Sequence, residues 1–156
     1  MTKSELLARI LAQLRSELES LTAAALATHA EATDEQNKAE NKYDTRGLEA
    51  SYLAHGQSKA AQEAAQAVAQ FQAMTPRDFA AGEPIGLGAL VALDGGARYF
   101  VGPRAGGTEL SHEGRDVMVI TPHSPLGRQL MGRRPGDVVA LEIGGRRSEA
   151  RIAAVL

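Results

Sequence analysis

A cluster of carboxylates interrupts the helical pattern in the N-terminal half of this chain. Between two long runs of helical periodicity lies a polar segment, residues 33–44, that contains Asp34, Glu35, Glu40 and Asp44. A helical segment that reverses direction there forms an antiparallel hairpin, and the reversal becomes an exposed tip. Carboxylates at the end of a rod can reach into a narrow space, although they cannot form a pocket of their own. The plainer alternative is a set of solvated charges at a helix start, which the helix dipole favours.

Two long helices are predicted to carry this tip. Residues 4–32 repeat apolar side chains at spacings of three and four, as in a coiled-coil seam, and Thr2 with Glu5 is typical of a capping box. The return helix, which ends near residue 73, has a stripe rich in alanine that allows two helices to approach closely. A long dimerising coiled coil is the alternative, but the central polar break and the near-equal arms favour a hairpin within one chain.

After the hairpin, the pattern changes from helical to strand-like. Pro76 ends the second helix because it disfavours helical backbone at the preceding residue. The sequence therefore predicts an α+β fold with an N-terminal antiparallel coiled-coil hairpin over 1–75, a linker over 76–84 and a small β-sheet domain over 85–156.

Five strands and one short helix are predicted in the C-terminal domain. The strands are residues 87–93, 98–101, 117–121, 138–143 and 147–155, with hairpin turns at the paired glycines. Residues 102–114 are predicted to be a loop. The short helix begins after Ser124, as its N-cap, with Pro125 at the first helical position.

The composition excludes several classes of protein. The net charge of −2 argues against a general nucleic-acid-binding protein, which usually carries a basic excess. The absence of cysteine excludes disulfides and thiolate metal sites, and agrees with a reducing cytoplasm. No apolar run is long enough to span a membrane, and the first residues do not resemble a signal peptide. His112 and His123 lack metal-ligand spacing, so we expect both to be surface histidines in loops.

The segment from Ser124 to Val139 combines a capped short helix, a basic turn and a strand. Its order of Ser-Pro-Leu-Gly, Gly-Arg-Arg and Gly-Asp-Val-Val closely resembles the C-terminal signature of the Gre transcript-cleavage factors, GreA and GreB. The preceding helical hairpin and the final pair of strands extend the resemblance over nearly the whole chain.

This resemblance implies an FKBP-like fold for the C-terminal domain and docking on bacterial RNA polymerase at the rim of its secondary channel. The hairpin would enter that channel, where acidic tip residues of Gre factors hold a second Mg²⁺ and help to activate a water. The polymerase then hydrolyses the 3′ end of a backtracked RNA. The partners implied are RNA polymerase and that RNA 3′ end, and we expect a cytoplasmic monomer that is an accessory factor and not itself an enzyme.

The tip departs from the Gre pattern at one decisive position. The best match to the family's Asp-x-x-Glu-Asn is the segment 37–41, which keeps Glu40 and Asn41 but has Asn37 in place of the aspartate. An amide supplies one neutral oxygen where Mg²⁺ prefers a carboxylate, so the metal affinity should fall. Ligation that supports cleavage, a contact in the channel without cleavage, and a merely solvated surface all remain open.

The candidate site residues form two groups. The tip carboxylates that could assist the polymerase are Glu40, Asp34, Glu35 and Asp44, of which Glu40 and Asp34 are the candidate Mg²⁺ ligands. The candidate partner contacts are Asn41, Tyr43, Arg46, Ser124, Arg133 and Arg134. Ser124 is also explained as an N-cap alone, and the two arginines as an exposed turn without a partner.

Three functions are compatible with these observations. The first is an elongation factor that stimulates cleavage of backtracked RNA, and the second is a regulator that occupies the channel without cleavage. The third, a peptidyl-prolyl isomerase, is a remote alternative that the FKBP-like fold alone suggests. An isomerase pocket needs an aromatic lining, and the domain offers only Tyr99, Phe100 and Phe79 for it.

Overall fold

The computed structural model describes residues 2–33 and 46–156, and it has two long helices followed by a sheet with one short helix. The elements are α1 (Lys3–Thr33), α2 (Arg46–Gln72), β1 (Leu90–Leu93), β2 (Arg98–Val101), β3 (Glu109–His112), β4 (Arg115–Ile120), α3 (Pro125–Leu130), β5 (Val138–Ile143) and β6 (Arg146–Val155). The predicted α+β fold class, with a helical hairpin before a small sheet domain, is confirmed. Two compact units result: a sheet unit of residues 1–10 and 70–156, and a helical unit of residues 11–69.

The start of α1 is fixed by the predicted capping box. The backbone N–H of Thr2 donates to Oε2 of Glu5 at 2.8 Å, and the N–H of Glu5 donates to Oγ1 of Thr2 at 3.3 Å. These reciprocal bonds satisfy two groups that have no partner within the helix.

In the helical unit, the predicted apolar stripe is the buried face. Leu14, Ala25 and Ala67 are buried. The other described positions of the two stripes in this unit are half-buried: Leu11, Leu18, Leu21, Gln57, Ala60 and Ala64. Helical periodicity thus predicts correctly which side of each helix is withdrawn from water.

The strands form one mixed sheet in the order β3-β4-β2-β1-β6-β5. Strand β2 runs parallel to β4, with Tyr99 opposite Met118, and all the other pairs are antiparallel. The register between β1 and β6 shifts between Ala92 and Leu93.

Two predictions for residues 102–114 are wrong. The described part of the chain has six strands where five were predicted, because the supposed loop contains β3, which pairs with β4 through a turn at Glu113 and Gly114. Both turn residues have positive φ, 54° and 71°. His112 is the last residue of β3 and only 2% exposed, so it is not a surface histidine. Strand β3 has only four residues, of which Glu109 and Ser111 are exposed, so its pairing with β4 leaves little trace in the sequence.

Within the sheet unit, different helices pack on the two faces of the sheet. On one face, Leu130 of α3 belongs to a buried cluster with Val91, Val101 and Ile152. On the other, Phe100 contacts Phe71 near the end of α2, with ring centroids 6.5 Å apart. Both faces of the central strands are therefore buried, which leaves the edges and turns of the sheet as its accessible parts.

Candidate functional site

Most of the predicted tip lies outside the described residues. This applies to Asp34, Glu35, Asn37, Glu40, Asn41, Tyr43 and Asp44. Arg46 is the first residue of α2. The Mg²⁺ site at the tip therefore stays a prediction. In the ranges 2–33 and 46–156, no group of three or more His, Asp or Glu side chains could hold a metal ion.

Ser124 caps α3 as predicted. Its backbone is extended, with φ −66° and ψ 157°, and its Oγ accepts a hydrogen bond from the N–H of Gly127 at 3.0 Å. The same hydroxyl donates to the carbonyl of Thr121 at 2.8 Å. Pro125 occupies the first helical position, where its missing N–H costs nothing. The hydroxyl therefore joins the end of β4 to the start of the helix, which is a structural role.

Gly127 allows α3 to lie directly against the chain that precedes it. A β-carbon at this position would be 1.8 Å from the carbonyl oxygen of Thr121 and 2.9 Å from Oγ of Ser124. No side chain can be accommodated at such distances from backbone atoms. The glycine of the Ser-Pro-Leu-Gly motif is thus required by a close approach, and the motif forms one compact corner.

The basic turn after α3 is held by backbone bonds while its side chains remain outside. The N–H of Ile85 donates to the carbonyl of Arg133 at 2.8 Å, and the N–H of Arg134 donates to Oδ2 of Asp137 at 2.9 Å. The side chains of Arg133 and Arg134 are both exposed. No ion pair within the described residues includes either of them. The turn therefore presents two adjacent positive charges on a fixed backbone.

A cavity of about 150 Å³ lies beside α3, lined in part by Tyr99, Leu126 and Leu141. Tyr99 is its one aromatic residue, and burial raises the pKa of its phenol. Phe100 lies against Phe71, and the ring of Phe79 is covered by the Arg77 guanidinium at 3.9 Å from its centroid. The three aromatic residues do not converge on this cavity, so an aromatic isomerase pocket is absent from it.

Arg98 and His112 were missed as candidate functional residues. They meet on the sheet, where Nη1 of Arg98 donates to the carbonyl of His112 at 3.0 Å. Both line a cavity of about 490 Å³ in the sheet unit. Their burial follows from the pairing of β3, so the sequence offered no direct signal for it.

These features define an α+β protein in which a helical hairpin precedes a sheet domain with an exposed basic corner. No protein-family model and no curated protein matches the chain. In the described ranges, no helix is long and apolar enough to cross a membrane.

The chain is similar to solved structures of Gfh1. One, described as the transcription factor Gfh1, is 26% identical, with 97% of this chain and 91% of that chain covered and a TM-score of 0.41. The GreA factor homolog 1 (Gfh1) of Thermus thermophilus is 24% identical over 97% and 93% of the two chains, with a TM-score of 0.40. Gfh1 of Thermus aquaticus is 26% identical over 99% and 96%, with a TM-score of 0.36.

Proposed function

We propose that this protein is a Gre-like transcription factor that binds bacterial RNA polymerase at the secondary channel. The sheet domain would dock on the rim of the channel, and the helical hairpin would enter it. The factor acts on transcription through the polymerase and has no catalytic activity alone.

One observation carries this proposal: the segment that resembles the Gre signature is built as a single rigid corner. Ser124 caps the helix, Gly127 permits the close approach to Thr121, and the turn that follows is fixed by backbone bonds. Its exposed residues include the adjacent pair Arg133 and Arg134, whose side chains are accessible to a partner. A pair of exposed arginines on a fixed backbone suits a protein surface with acidic side chains, because complementary charge steers and orients docking.

The binding step is tested with core RNA polymerase from a bacterium and fluorescently labelled protein, by anisotropy at several salt concentrations. Reversing both charges, as Arg133→Glu with Arg134→Glu, should weaken binding roughly tenfold or more, since like charges at an interface cost several kcal/mol. The matched control is Arg146→Glu with Arg147→Glu, a second exposed arginine pair next to a glycine turn in the same unit. Equal weakening by both pairs would exclude a specific role for the first, and failure of the unaltered protein to bind would overturn the proposal.

A second candidate activity concerns what the tip does inside the channel. If Mg²⁺ is held there, Glu40 and Asp34 would hold it, and the ion would stabilise the attacking and leaving oxygens of the RNA phosphodiester. Asn37 favours the other outcome, occupancy of the channel without cleavage, because its amide contributes no charge to a site that prefers carboxylates.

Backtracked elongation complexes with labelled RNA separate these two activities. Short 3′ cleavage products that depend on the protein, and are lost with Glu40→Ala or Asp34→Ala, support assistance to cleavage. Absence of such products in spite of measured binding supports occupancy alone. In that case, Asn37→Asp should restore some cleavage, because it returns a charged ligand to the position where the Gre pattern has aspartate.

A further inference from the structure

The cavity of about 490 Å³ in the sheet unit lies beside the first turn of α1. Its walls come from that turn, from the segment after α2, and from the part of the sheet that carries Arg98 and His112. Small-molecule sites in proteins have volumes of roughly 300–1,000 Å³. The cavity is therefore large enough for a ligand of metabolite size, and the chemistry of its walls determines which kind.

Two backbone N–H groups at the start of α1, those of Lys3 and Ser4, belong to residues that line the cavity. The N–H of Glu5 is satisfied by Oγ1 of Thr2, and the N–H of Leu6 by the carbonyl of Thr2 at 3.1 Å. The amides of Lys3 and Ser4 remain, and among the described residues neither has an acceptor. Free amides at the N-terminus of a long helix favour an anion through their direction and through the helix dipole.

Arg98 brings a buried positive charge to the same cavity. The residue is only 8% exposed. In the described part of the chain, its single hydrogen bond is the one from Nη1 to the carbonyl of His112, and no ion pair found there includes it. A guanidinium has five N–H donors, so most of this fork is unused. The Glu113 carboxylate interacts electrostatically with Arg98 and reduces the cost of burying its charge. The remaining N–H donors of the guanidinium can still bind an oxyanion.

His112 is a second buried polar side chain in this wall. Its Nδ1 is buried and has no hydrogen-bond partner within the described ranges. Burial lowers the pKa of the imidazole, against the opposing effect of the Glu113 carboxylate. A neutral imidazole has one nitrogen that donates and one that accepts. The wall therefore places a buried imidazole beside the Arg98 guanidinium.

The ammonium of Lys3 is engaged elsewhere. Its Nζ donates to the carbonyl of Arg77 at 2.7 Å and to the carbonyl of Leu156. It also lies 4.9 Å from the centroid of the Phe79 ring. The amide of Lys3 and its ammonium therefore have separate roles, and only the amide is available to the cavity.

We propose that this cavity binds a small molecule through one oxyanion group, a carboxylate or a phosphate, held by Arg98 and the free amides of Lys3 and Ser4. The planar guanidinium fork matches both kinds of oxyanion. The carboxylates of Asp78 and Glu113 also line the cavity. Their charges oppose a polyanion, so the ligand carries a single such group and not a chain of phosphates.

The test is an NMR titration of the whole protein with sodium phosphate and, separately, with sodium acetate, at constant ionic strength. We expect saturable shifts of the Lys3 and Ser4 amides and of the Arg98 Nε–H, whereas sodium chloride should leave them unchanged. The oxyanion with the lower Kd shows whether the ligand's oxyanion group is a carboxylate or a phosphate. Equal responses to chloride, or shifts confined to other residues, would overturn the proposal without any variant being needed.

Substitution of the guanidinium gives an independent check. Arg98→Gln should weaken binding of the tighter oxyanion by about tenfold or more, the loss of a hydrogen bond to a charged group. Arg98→Lys, which keeps the charge but loses the fork, should give an intermediate Kd. Arg115→Gln is the control, because Arg115 is exposed in the same sheet, and its Kd should be unchanged. The same Kd for Arg98→Gln and Arg115→Gln would contradict the site.

Discussion

Gly102 lies so close to the ring of Phe71 that a β-carbon on the glycine would be 2.6 Å from the ring's Cζ atom. The same β-carbon would also be 3.1 Å from Cγ1 of Val119. Phe71 is 1% exposed and in contact with Phe100. The end of α2 therefore packs on the sheet through a contact that is possible only because residue 102 has no side chain.

We expect Gly102→Ala to destabilise the protein by about 1–3 kcal/mol, the usual cost of overpacking a well-filled core. The measurement is urea unfolding followed by circular dichroism. Gly95→Ala is the control, since no atom lies within 4 Å of its added β-carbon, and it should change the free energy of unfolding by no more than about 0.5 kcal/mol. Equal decreases in the free energy of unfolding for the two substitutions would mean that the Phe71 ring can shift at little cost.

The N-cap of α3 predicts a graded change in stability for two substitutions of Ser124. Ser124→Ala should lower the free energy of unfolding by about 1 kcal/mol because it removes the acceptor for the N–H of Gly127. Ser124→Thr retains a hydroxyl that can accept and donate, so it should recover most of that loss. If Ser124→Ala weakened polymerase binding while stability stayed unchanged, the hydroxyl would be a partner contact and not a cap.

Elements that are determined by neighbouring residues were predicted correctly from the sequence. The capping box at Thr2 and Glu5 and the Ser-Pro start of α3 each follow from residues within one turn of helix. The pairing of β3 has no such local cause, because it depends on β4 and on a turn with a glutamate at positive φ. His112 is buried with Arg98 only after these distant segments meet. The cavity there could not be predicted, because its walls converge from separate parts of the chain.

Gly56 offers a stabilising substitution in the helical unit. It lies inside α2, is exposed, and an added β-carbon would have no atom within 4 Å apart from the neighbouring helix backbone. Alanine is favoured over glycine in a helix interior by roughly 1 kcal/mol. Gly56→Ala should therefore raise the free energy of unfolding, measured by urea titration. Ala65→Gly, at another exposed position of α2, should have the opposite effect, and the same sign for both would contradict the helix-propensity argument.

The buried imidazole of His112 predicts that stability falls as the solution becomes mildly acidic. Burial holds its pKa below the ordinary value of 6.5 in the folded protein. Between that lowered pKa and 6.5, the unfolded chain binds a proton that the folded chain does not, so the free energy of unfolding decreases as the pH falls through this window. Above about pH 7, the imidazole is neutral in both states and makes no such contribution.

Urea unfolding at pH 7.5, 6.5 and 5.5 measures this dependence, and substitution assigns it. His112→Gln should flatten the curve between pH 7 and the lowered pKa, whereas His123→Gln should leave the slope unchanged, because His123 is exposed. Titration of the His112 ring by NMR in the unaltered protein provides a direct reading that does not require the variant to fold. A measured pKa at or above 6.5 would mean that Glu113 outweighs burial, and stability would then not fall with acidification through this residue.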